Sequence, residues 1–223
     1  MGGMGFRLSS FHVSCAVVLV FTTCLGQSVH INAQASSKPR PHQASTPDPG
    51  TVTEGVYHNA FFAFSCRIPF GWVERTAQMQ EGGEPGKSLV LLSSFERPPE
   101  AKGDTVNSAI VIAAESVASY PGLRNAADYF GPLTELTTSK GFKVVNEPSE
   151  VSVGSKQLVR GDFSKDMGTL TMYQASLVAL EKGYVLSFTF LAGSEDDADA
   201  LIDGLSFGGG AKATKRRPSA SPQ

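Results

Sequence analysis

Residues 158–191 read LVRGDFSKDMGTLTMYQASLVALEKGYVLSFTFL. Three apolar runs, Leu158 to Phe163, Thr169 to Leu180 and Tyr184 to Leu191, are divided by Lys165-Asp166-Met167-Gly168 and Glu181-Lys182-Gly183. Short polar separators containing glycine are hairpin chemistry, so the runs predict consecutive antiparallel strands. From Tyr184 to Phe190 the alternation puts Leu186, Phe188 and Phe190 on one face and Ser187 and Thr189 on the other.

Working outward toward the N-terminus, Phe142 to Asn146 and Val151 to Val153 read as two more strands, with Gly154-Ser155 as the next separator. A helix is expected before them, from Leu123 to Ser139. Its apolar positions Ala126, Ala127, Phe130, Leu133 and Leu136 recur near helical spacing, and Lys140-Gly141 closes it. Pro132 within it predicts a kink or a split. Ser88 to Phe95 and Ser108 to Val117 are apolar strands on either side of a polar loop, Arg97 to Thr105. Val56-Tyr57 and Phe61 to Ile68 read as strands joined by a turn at His58-Asn59. Pro69-Phe70-Gly71-Trp72 ends that run. Past Leu191, Ser194 is an N-cap for a closing helix with Glu195, Asp196 and Asp197 in its first turn. Ala198, Leu201, Ile202 and Leu205 form its buried stripe.

The chain has 223 residues, 41% hydrophobic and 18% charged. A body running from Glu54 to Phe207 is long enough for one core, since domains of that size bury about 70% of their unfolded surface. Between those residues twelve Lys and Arg stand against twenty Asp and Glu, a net charge of −8. Such a body repels phosphate backbones, which excludes nucleic acid as its partner.

The ends read differently. Arg7 is the only charge in the first 37 residues, an apolar run follows from Val13 to Leu25, and Ala33 and Ala35 stand at a small-x-small exit. Those are the parts of a secretory signal peptide, and the run is too short to span a bilayer. Residues 1–35 are therefore expected to be the signal, with Gly26 as a weaker exit. A membrane link would come only through an uncleaved signal or through lipidation at Cys24, whose preceding Val20-Phe21-Thr22-Thr23 fits a lipobox badly. Residues 36–53, rich in Pro and Ser, are expected to form a disordered spacer, and residues 208–223 a disordered basic tail with Lys215-Arg216-Arg217.

Three stretches carry a family likeness. They are Tyr57-His58-Asn59-x-x-Phe62-x-Phe64-Ser65 with Ile68-Pro69-x-Gly71-Trp72, then Leu158-x-Arg160-x-Asp162-Phe163 with Tyr173-Gln174-Ala175, and finally Gly183 to Phe188 before a closing helix that ends in Leu205-Ser206-Phe207. With them the body, 54–207, resembles the Mog1/PsbP-like superfamily, and in particular its small exported bacterial members. The resemblance implies an α+β fold with a mostly antiparallel central sheet flanked by helices, an α/β/α sandwich. The family spans a photosystem subunit, a small-GTPase release factor and envelope lipoproteins, so the fold does not set the function. No functional residue is carried over from it.

Chemistry-bearing residues are sparse. His58 is the only histidine of the body, so nucleophile–histidine catalysis would run through it, with Cys66 or a serine as nucleophile. A turn residue and a buried thiol are the plainer readings. Once Cys15 and Cys24 leave with the signal, Cys66 has no disulfide partner. No cysteine pair, paired histidines or calcium loop points to a metal, and no cofactor is expected. Glu195, Asp196, Asp197 and Asp199 read as a solvated helix start. Gly82-Gly83-x-Pro85-Gly86-Lys87 is similar to a phosphate loop but leads into a strand where a phosphate loop opens a helix. Arg160 and Asp162 share a strand face and are expected to pair. Trp72 reads as core.

The expectation is a non-enzymatic exported domain that binds an envelope or periplasmic protein through a sheet face or the loop Arg97 to Thr105. The alternative is a small-molecule binder or hydrolase with a site built from scattered acids and Arg160. A pocket lined by Arg160, Asp162 and Trp72 would favour the alternative.

Overall fold

A computed structural model describes residues 47–81 and 88–208. Its elements are β1 (Thr51–Thr53), β2 (Val56–Asn59), β3 (Phe64–Arg67), β4 (Val73–Glu74), α1 (Thr76–Glu81), β5 (Ser88–Phe95), β6 (Ala109–Ser116), α2 (Phe130–Ser139), β7 (Lys143–Val153), β8 (Lys156–Met167), β9 (Leu170–Glu181), β10 (Tyr184–Ala192), α3 (Glu195–Ile202) and β11 (Leu205–Phe207). Short 3-10 turns at Val117–Ser119 and Ala127–Tyr129 precede α2.

Two sheets result, ordered β4-β5-β6-β10-β9-β8-β7 and β1-β2-β3-β11, with every described pairing antiparallel. The architecture is α+β and mostly antiparallel, as the hairpin chemistry of residues 158–191 requires. β10 inserts between β9 and β6, where Phe188 lies opposite both Leu177 and Ile112. The main core fills the space between the large sheet and the layer made by the small sheet and α3. Leu186, Phe188 and Phe190 pack there against Tyr57, Phe64 and Cys66. Phe188 meets Phe64 and Phe207 edge-on. A second, smaller cluster on the other face joins Tyr129 and Phe130 to Val159, Val178 and Val185.

Where the structure departs from the sequence reading, local chemistry explains it. β2 runs through His58 and Asn59, and the chain turns at 60–63, because the Asn59 Oδ1 accepts from the Phe62 N–H at 2.8 Å and closes the turn itself. Folded chain begins before the expected boundary at Glu54. Thr51–Thr53 pair with β2, Tyr57 Oη donates to the Pro49 carbonyl, and Asn59 Nδ2 donates to the Asp48 carbonyl. Gly208, expected in the tail, donates its N–H to the Ala63 carbonyl. The closing helix stops at Ile202, and Leu205, expected on its stripe, belongs to β11 beside β3.

The helix expected over Leu123–Ser139 begins only at Phe130, so Pro132 falls in the first turn, where its missing N–H would have had no partner. The two strands expected at 142–153 are one, β7. Pro148 is accommodated because β7 is an edge strand whose pairing with β8 slips between Asn146 and Ser149. At the opposite edge α1 lies along β5. Val90 N–H donates to Gln80 Oε1, Gln80 Nε2 donates to the Ser88 carbonyl, and Ser93 N–H donates to Thr76 Oγ1.

Candidate functional site

β8 turns Arg160 and Asp162 to the same side of the sheet, beneath α3. Arg160 Nε donates to Asp162 Oδ1 at 2.8 Å, and its Nη2 lies 2.7 Å from Asp199 Oδ1. Asn146 Nδ2 donates to Asp162 Oδ2 at 3.1 Å, so both oxygens of a buried carboxylate are satisfied. Burial alone would lower the Arg160 guanidinium. The hydrogen bond and charge of Asp162, joined by those of Asp199, outweigh it and hold the group above its ordinary range. A cleft beside this cluster is lined by Val145, Tyr173, Glu195 and Ala198, and has room for little more than a water molecule. Trp72 does not line it and packs instead against the main core. The expected Arg160–Asp162 pair is present, and Asp199 joins it from α3.

The other candidates fall apart in space. Tyr57 lies opposite Cys66 and points inward, which turns His58 outward to solvent. The two halves of the imagined dyad therefore sit on opposite faces of the small sheet. Cys66 is fully buried, and burial pushes its thiol up to about 12 from an ordinary 9.0. The folded thiol keeps its proton where the unfolded chain loses it. Its share of stability is thus whole below pH 9 and lost as pH climbs toward 12. Tyr57, raised by burial from 10.0 to about 12 although the Asn59 hydrogen bond lowers it, adds to the loss above pH 10. Urea midpoints measured from pH 7 to 12 should stay level to about pH 9 and then fall, and Cys66→Val should delay that fall.

Ser194 caps α3, its Oγ accepting from the Asp197 N–H at 3.1 Å. Among the described residues no group of three potential ligands could hold a metal ion. Gly82 to Lys87, Cys24 and Ala35 lie outside the described residues.

One end of the large sheet gathers the features suited to contact. Val73 pairs with Phe95, so the turn before β4 and the loop after β5 emerge side by side. The turn is Pro69-Phe70-Gly71-Trp72, closed by Trp72 N–H on the Pro69 carbonyl, with Gly71 at φ +84° as only glycine adopts freely. At its tip Phe70 is fully exposed. The loop Arg97 to Thr105 is pinned at its base by Asn107, which accepts from the Arg97 N–H and donates to the Arg97 carbonyl. Arg97 also folds under the loop, donating to Thr105 Oγ1 at 3.0 Å and to the Thr105 carbonyl. Arg75, just after β4, meets Glu100 in the loop at 3.4 Å. Turn and loop thus lie side by side on one solvent-facing edge.

The sequence places Phe70 in a turn, and a Phe between Pro and Gly in a tight turn has little core to reach, which is the signal of its exposure. Glu115 carries no such signal in the sequence; its carboxylate accepts from the hydroxyls of Tyr120 and Tyr129.

No family model and no curated protein matches the chain. Solved structures similar to it include the following three. The cyanobacterial PsbP of Synechocystis has a TM-score of 0.45 at 16% identity, over 68% of this chain and 91% of that one. LpqN of Mycobacterium tuberculosis, a protein involved in cell envelope biogenesis, has 0.37 at 15% identity, over 73% and 90%. The Ran-binding protein Mog1p of Saccharomyces cerevisiae has 0.38 at 10% identity, over 62% and 76%.

Proposed function

We propose that this chain is an exported, non-enzymatic module that binds an envelope or periplasmic protein through the edge formed by Phe70 and the loop Arg97 to Thr105. Residues 1–35 serve as its signal peptide, the stretch up to the folded domain is a spacer, and the basic tail follows β11. The observation that carries the reading is Phe70, a large apolar side chain left fully exposed on a hydrogen-bonded turn beside a loop pinned at its base. An aromatic side chain has only two rotatable bonds to order on docking, and aromatic residues are enriched at the centres of interfaces. A binder or hydrolase built on Arg160 is less well supported, because its cleft is too small for a substrate and both oxygens of Asp162 are occupied. Among the described residues no helix is long and apolar enough to cross a membrane.

The test is cross-linking of the tagged full chain in its native cells, followed by identification of what co-purifies. One stoichiometric envelope protein is expected, and Phe70→Ala should weaken its capture by at least about tenfold, the scale of a hot-spot residue. If an abundant, folded chain captures nothing specific, or if Phe70→Ala captures the same partner equally well, this edge is not the binding surface.

A further inference from the structure

We propose that Val117–Ser139 is a lid that opens as one unit from the sheet while the rest of the domain stays folded. Four observations carry it. Between the end of β6 at Ser116 and the start of β7 at Lys143 the chain pairs with no described strand. Among the described residues, three hydrogen bonds tie the segment to the body: Val117 N–H to the Gly183 carbonyl, and the hydroxyls of Tyr120 and Tyr129 to Glu115. Its other hydrogen bonds are made within Ser116–Gly141, where the Lys140 carbonyl just past α2 also accepts from Lys165 Nζ of β8 and holds the hinge end of the segment.

The segment's apolar contacts are also its own. Tyr129 and Phe130 pack on Val159, Val178 and Val185 in the small cluster, on the face of the sheet turned away from the main core. Losing them leaves the main core intact, which is the condition for opening below the global unfolding free energy.

α2 itself is a poor helix. Gly131 and Pro132 fall in its first turn, Thr134, Thr137 and Thr138 are β-branched, and no side chain caps its N-terminus. Ten such residues do not hold a helix in water without docking. What docks it is Phe130, buried in a notch that exists because residue 161 of β8 has no side chain. A Cβ there would lie 2.7 Å from the Phe130 ring. The latch is therefore double, with Phe130 in the Gly161 notch and two tyrosines on Glu115. Opening releases both and uncovers Val159, Val178 and Val185.

Native-state hydrogen exchange on the full chain tests this. Amides of α2 should exchange through an opening that leaves β9 and β10 protected. Gly161→Ala should expel Phe130 and speed α2 exchange at least about tenfold at unchanged β9 and β10 rates. Glu115→Gln, which keeps the shape and weakens the tyrosine latch, should do the same to a smaller degree and serves if Gly161→Ala does not fold. If α2 exchanges in step with β9 and β10 in the unaltered chain, or if Glu115→Gln speeds all three alike, the segment belongs to one cooperative unit and there is no lid.

Discussion

Asp162→Ala should lower the unfolding free energy by about 3–5 kcal/mol, read as a fall in the urea midpoint at constant slope. Asp162 is buried, with one oxygen on Arg160 Nε and the other on Asn146 Nδ2. Deleting it leaves a largely buried guanidinium held only through Asp199, whose side chain is 52% exposed. Asn146 loses an acceptor in the same step. Asp199→Ala, at the wet end of the cluster, should cost under about 1 kcal/mol. The contrast separates two roles. A large stability loss with partner capture retained marks the cluster as structural, whereas a small loss with capture abolished would make Arg160 and Asp162 the binding site.

Asn59→Ala should cost about 2–4 kcal/mol, because one side chain satisfies several groups at once. Its amide donates to the Asp48 carbonyl and to Tyr57 Oη, while its carbonyl accepts from the Phe62 N–H. Alanine leaves the buried Phe62 N–H without a partner and frees the chain entering at Pro47. Faster exchange and proteolysis around Asp48 should accompany the lower midpoint. His58→Ala, one residue earlier and facing solvent, should change stability by less than about 0.5 kcal/mol. Equal effects at the two positions would refute this account of the turn.

These two residues also show what the sequence made legible. Alternation from Tyr184 to Phe190 and the glycine-bearing separators predicted β9 and β10 to within a residue at each end, because a strand packed on one face repeats with period two. They predicted only the middle of β8, which runs on to Met167 through Lys165 and Asp166 of the expected separator. The Arg160–Asp162 pair followed from the same periodicity. Asp199 could not, since it reaches Arg160 only once α3 lies across β9 and β10. Asn59 looked like a turn residue and is one, but it acts from inside β2, through a side-chain bond invisible to composition. β11 has three residues, too few for any period to register, and α1 is a polar helix with no apolar stripe to announce it. Phe70 was legible as part of a turn. The one sign of its exposure was its place between Pro and Gly in a tight turn, with little core to reach.

The hydrogen bonds of α1 along β5 bear on how the chain acquires its shape. Gln80 and Thr76 take the places a neighbouring strand would fill at Ser88, Val90 and Ser93. They precede β5 in the chain, so this edge is stoppered by residues synthesised before it. β6 has no such provision. Its other neighbour is β10, and Ala109 must wait for Leu191 to be made before that side closes. Pairing over so long a separation is slow, and an unpaired strand rim is sticky while it waits. The hazard during folding is therefore concentrated at one place, the flank of β6, and it persists until the last long strand arrives.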